Sequence, residues 1–147
     1  MQSNDTSRQL SQLDRELIER RIHFLADARA RGDVAGMLKY AAPDIVFKVG
    51  GGLSYPFYKT CTGKDSCGYM AHAVNVAYEN FGSTINSLLI DGDRVALQRT
   101  ASIRNRGTGR SVSVEICNFL RFRDGLVVEF SEFPDTAAFA QLENPDL

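Results

Sequence analysis

The sequence predicts an α+β fold: a curved, mostly antiparallel sheet wrapped by three helices. Two observations carry this expectation. Apolar residues at helical spacing occur around residues 10–28, 34–41 and 67–81, in the first part of the chain. Four β-rich segments then follow in succession, about 84–90, 94–104, 111–122 and 126–133, joined by turn signals rather than by helices. Helices early and a meander late give the order α-α-β-α-β-β-β-β, which separates the pattern from an alternating α/β fold.

Each element has a local reason. Leu10, Leu13, Leu17, Phe24 and Ala28 recur at three, four and seven, and Ile18 and Leu25 widen the stripe. Gly32 provides a C-terminal stop. Asp33 is placed to cap a second, short helix, VAGMLKYA, which Pro43 ends. Ile45-Val46-Phe47-Lys48-Val49 reads as a short strand closed by Gly50-Gly51-Gly52. Cys67, Met70, Val74, Ala77, Tyr78 and Phe81 form a third helical stripe, with Gly82 as its stop and Asp65 as a candidate cap. Asp91-Gly92-Asp93 and Arg123-Asp124-Gly125 are tight hairpin signals, and Asn105–Gly109 is a longer turn.

Composition narrows the classes of function. With 147 residues, 44% apolar and 24% charged, the chain suits one soluble domain, expected over 9–147 behind a flexible tail of residues 1–8. A net charge of −1 offers no field to recruit nucleic acid or an anionic membrane, and neither is expected as a partner. No apolar run reaches the length that spans a bilayer. The opening MQSNDTSRQ lacks an apolar core of the secretory type, so no signal peptide is expected. Cys61, Cys67 and Cys117 form neither a CxxC nor an even framework, which points to a reducing cytoplasm. The two histidines are far apart and Gly50-Gly51-Gly52 fits no phosphate-binding pattern, so neither a metal nor a cofactor is expected.

The candidate site comes from strand alternation. In RVALQRTASIR one face carries Val95, Leu97, Arg99, Ala101 and Ile103, which sets Arg99 among apolar neighbours. In VSVEICNFLRF, Asn118 is the polar exception among Val112, Val114, Ile116, Leu120 and Phe122. In LVVEFSEF, Glu132 shares a face with Leu126, Val128 and Phe130. A buried charge must pair or neutralise, so Arg99 and Glu132 are expected to meet. They form either a structural salt bridge or a catalytic set, with Glu132 as acid or base, Arg99 holding a substrate oxygen, and Asn118 stabilising developing charge. Arg21 also falls inside its helix's apolar stripe, and is expected to snorkel or to form an interface pair, with a reach into the pocket as the alternative. Tyr55, Phe57 and Tyr58 flank Pro56 after the glycine run and are either aromatic contacts for a substrate or a lid on the core. His23 and His72 lie opposite the apolar stripes and are expected at the surface.

The element order, with RGDVAGMLKYAAPDIVF, TGKDSCGYM and NFLRFRDGLVVEFSEFPD, resembles the nuclear transport factor 2-like superfamily over residues 10–142. The resemblance implies a cone-shaped, cystatin-like α+β roll, a pocket between sheet and helices, and frequent dimers through the sheet. That superfamily includes ketosteroid isomerases, limonene epoxide hydrolases and polyketide cyclases of the SnoaL type. Against the epoxide hydrolases, Arg99 matches the arginine and Glu132 the final-strand acid, but the second acid is Ala101. Against the ketosteroid isomerases, the base falls near Val49 and the oxyanion tyrosine near Leu25, and only Asn118 keeps a polar group. The SnoaL-type cyclases are nearest in character. The resulting expectation is an isomerase, cyclase or hydrolase acting without a cofactor on a small apolar organic ligand. The alternatives are a noncatalytic ligand-binding module and a protein-interaction scaffold. A homodimer is expected through the outer face of the sheet, with Phe119 and Phe133 as anchors.

Overall fold

In the computed structural model the described residues are 2–51 and 60–143, with side chains from residue 14 onward. Tyr55, Phe57 and Tyr58 lie outside them. The chain runs α1 (Gln2–Ala30), α2 (Val34–Leu38), β1 (Ala41–Val49), β2 (Thr60–Thr62), α3 (Lys64–Ala77), β3 (Tyr78–Asp91), β4 (Arg94–Asn105), β5 (Ser111–Arg123), β6 (Leu126–Pro134) and α4 (Thr136–Glu143). The strands form one open sheet in the order β2-β1-β6-β5-β4-β3. Among the described residues every neighbouring pair is antiparallel except β1 and β6, which run parallel with Val49 opposite Glu132. The fold is α+β, as expected, and the sheet is mixed.

Local chemistry explains the boundaries. Helix α1 ends at Ala30, two residues before Gly32, whose φ of +67° suits glycine, and Asp33 Oδ1 accepts a hydrogen bond from Gly36 N at 3.0 Å to start α2. The β5–β6 hairpin turns on Asp124 and Gly125, both at positive φ (53° and 76°), the pairing that a two-residue type I′ turn demands. Strands β4 and β5 alternate buried residues with half-buried ones in β4 and mostly exposed ones in β5, so one face of each meets the core. That core joins Ile18 and Ile22 of α1 to Ala101, Val114 and Ile116 of the sheet.

Three expectations are corrected. The third helix stops at Ala77, and Tyr78 and Phe81 belong to β3. Their spacing fits a helix, but the backbone of Tyr78 is extended and pairs with Asn105 across the sheet. The second helix ends at Leu38, and Ala41 already belongs to β1. A further helix, α4, closes the chain: Asp135 Oδ1 accepts from Ala137 N and Ala138 N, while Phe139 and Leu142 are buried. The Phe139 ring meets Tyr78 edge-on at 5.9 Å.

Candidate functional site

The three polar residues singled out by alternation stand side by side on the buried face of three adjacent strands. Asn118 on β5 is opposite Leu97 on β4 and opposite Glu132 on β6, and Arg99 is two residues further along β4 than Leu97. On a sheet such a diagonal neighbour lies within reach of a long side chain. Arg99 uses that reach. Its Nε donates to Asn118 Oδ1 at 2.9 Å and its Nη2 donates to Glu132 Oε1 at 2.7 Å. Asn118 Nδ2 donates to the same carboxylate oxygen at 3.3 Å. Arg99, Asn118 and Glu132 are all buried, with Glu132 2% exposed.

A fourth member comes from α1. Arg29 Nη2 lies 3.6 Å from Glu132 Oε2, so the carboxylate is flanked by two guanidiniums on its two oxygens. Burial pushes the Glu132 carboxyl upward. The charges of Arg29 and Arg99, with hydrogen bonds from Asn118 and Arg99, outweigh that and hold it below the ordinary value. Glu132 is therefore an ionised carboxylate.

These residues border a cavity of about 110 Å³ between the sheet and helices α1–α3. Its other walls are mainly apolar and include Leu25, Met37, Phe47, Met70, Leu97 and Phe130. Arg21 also lines it, and its Nη1 donates to Gly125 O in the β5–β6 turn. Its guanidinium carbon sits 4.3 Å over the Tyr40 ring. Gly125 is seven residues from Glu132 along the chain, roughly 20 Å at strand rise. Arg21 thus closes the opposite end. Cys67 lines the cavity as well, while Cys61 Sγ lies 3.3 Å from Met70 Sδ. Burial, then the neighbouring Cys61, pushes the Cys67 thiol up. Such a thiol is a poor nucleophile. His23 and His72 are exposed, as expected. Among the described residues no three His, Cys, Asp or Glu side chains gather as a metal site, and no helix is long and apolar enough to cross a membrane.

The family described as SnoaL-like domain matches residues 22–130, which is most of the chain. The chain belongs to that family. No curated protein matches it in sequence. Solved structures agree on the fold. An NTF2-like protein of unknown function from Burkholderia pseudomallei is 23% identical with a TM-score of 0.75, covering 86% of this chain and 96% of its own. An epoxide hydrolase of the LEH-like type from M. tuberculosis is 14% identical with a TM-score of 0.70, covering 84% and 86%. TerC, co-crystallised with polyporic acid, is 19% identical with a TM-score of 0.74, covering 86% and 97%. At these identities the likeness establishes a shared cone-like α+β fold, in line with the superfamily resemblance of the sequence motifs.

Within this SnoaL-like domain, sequence reasoning found three of the four residues around the carboxylate and missed Arg29. The signal was present. Arg29 follows Leu25 by four and Ile22 by seven, which puts it on the helix face that meets the sheet. Ala101, two residues after Arg99 on the same face of β4, is fully buried and apolar. Arg99 and Glu132 consequently have no second carboxylate on this strand face.

Proposed function

We propose that this SnoaL-like domain is an enzyme of the isomerase, cyclase or hydrolase type, acting on a small, mostly apolar organic molecule by side-chain acid–base chemistry. One observation carries the reading: polar side chains from β4, β5, β6 and α1 converge on one end of a mainly apolar cavity. Glu132 is the proton acceptor through Oε2, the oxygen that takes neither the Arg99 nor the Asn118 hydrogen bond. Arg99 and Asn118 fix the carboxylate through Oε1, and Asn118 also orients Arg99. The three free thiols suit a reducing cytoplasm. The exposed face of the sheet, where Phe119 and Phe133 meet edge-on at 6.0 Å, forms a homodimer contact.

The test is Glu132→Gln, which keeps an acceptor for Arg99 and removes the base. Turnover of a substrate found by screening small oxygenated ring compounds should vanish, with no loss of ligand affinity. Retained turnover would end the catalytic reading. One observation favours a second reading, ligand binding without turnover: a carboxylate held low by two guanidiniums is a weak base. Tight binding without product from any bound compound, in wild type and variant alike, would select it.

A further inference from the structure

Among the described residues the charges around Glu132 do not balance. Arg99 and Arg29 both face one carboxylate, and Asn118 adds no charge. The other charged residue among those lining the cavity, Arg21, is engaged by Gly125 O and the Tyr40 ring. Among the described residues the wall thus presents three arginines and a single glutamate.

The two guanidiniums beside Glu132 are not equivalent. Arg99 is engaged at Nε and Nη2. The Arg29 guanidinium is held only by charge: 3.6 Å to Glu132 Oε2 is too long for a hydrogen bond, and it makes none with the described residues. Its side chain is 23% exposed and borders the cavity. A guanidinium drawn largely out of water with its donors unspent is costly until an anion meets it.

We infer that Arg29 is an anion anchor, and that the ligand of this cavity is a small, mostly apolar organic carboxylate. The inference rests on the reading of the cavity as a ligand pocket. Glu132 neutralises one guanidinium and leaves the charge of the other for the ligand. The planar fork of an arginine matches a carboxylate with two parallel N–H···O bonds, which a neutral carbonyl cannot reproduce. The volume limits the remainder. A cavity of about 110 Å³ is of the order of the engineered 150 Å³ cavity that accepts benzene, so a one-ring acid is the natural size.

Titration calorimetry of the full chain at pH 7 tests this with matched pairs: benzoate against benzamide, phenylacetate against phenylacetamide, cyclohexanecarboxylate against its amide. The acids should bind at least about tenfold more tightly than the amides. Arg29→Gln should shrink that preference to about twofold, while Arg29→Lys, which keeps the charge and loses the fork, should fall between. The wild-type comparison stands even where a variant folds poorly. Amides that bind as tightly as acids would overturn the anion anchor and leave the small-ligand reading intact. Failure of both series to bind would overturn both.

Discussion

Arg99 and Glu132 are joined across an intervening strand: Nη2 of the arginine on β4 meets Oε1 of the glutamate on β6 at 2.7 Å, over the top of β5. Breaking a buried pair from one side strands the other charge, at a cost of about 3–5 kcal/mol. Arg99→Met and Glu132→Leu should each lower stability by about that amount in urea denaturation. The double variant should lose at least about 2 kcal/mol less than the sum of the singles. Simple additivity would show that the contact carries no coupling.

Acid should weaken the fold through the same carboxylate. Glu132 titrates below its ordinary 4.5 in the folded chain, so folding favours its ionised form. The sign follows: this stabilisation is complete above the unfolded pKa and is lost as pH falls through the folded one. The stability gap between wild type and Glu132→Gln should therefore be flat from about pH 5.5 upward and close progressively below 4.5. A gap that widened in acid would reverse the direction assigned here.

Gly125 should resist replacement. Its φ of 76° suits glycine, and an added Cβ would lie 2.7 Å from Arg21 Nη1. Gly125→Ala should cost more than about 1 kcal/mol in thermal or urea unfolding. Shortening Arg21 to alanine in the same chain should relieve the clash and leave the backbone strain. Equal stability of Gly125→Ala and wild type would refute the close approach.

The thiols report on the proposed dimer. Cys117 is exposed on the same outer face as Phe119 and Phe133 and pairs with Phe133 in register, whereas Cys61 and Cys67 are buried. Iodoacetamide should label Cys117 first, and burial should delay Cys67 until unfolding. Dimer formation should slow Cys117 labelling as protein concentration rises, and Phe119→Ser with Phe133→Ser should abolish that dependence. A labelling rate independent of concentration, with a monomer in sedimentation, would remove the dimer.

The readable parts of this chain were those where a period of two met a strongly coloured residue. Arg99, Asn118 and Glu132 each break an apolar alternation, so their face could be assigned and their convergence expected. The end of α3 was unreadable by the same means. β3 carries irregularities between Asn80 and Gly82 and between Ile85 and Ser87, which scramble its alternation and leave a helix-like spacing at its start. Arg29 escaped for a different reason: an arginine on a helix usually reads as solvent-facing, and only its offset from Leu25 and Ile22 gives it away. Strand β2, three residues long, is defined by pairing with β1 and has too few residues to show a period. The existence of a cavity depends on how far the helices stand off the sheet, and no residue pattern encodes that distance.

Because one carboxylate oxygen serves both Arg99 and Asn118 while the other faces Arg29, the four positions constrain one another through every generation of sequence change. Replacing Arg99 or Glu132 alone breaks the buried pair, and the loss is a large share of a small domain's stability. New chemistry at this end of the cavity is therefore reached by paired substitutions, or through an ancestor stable enough to survive the unpaired intermediate. Positions on the apolar wall, such as Leu25 or Met70, carry no such linkage. They can drift singly, so the shape of what is bound is free to diversify long before the polar end is.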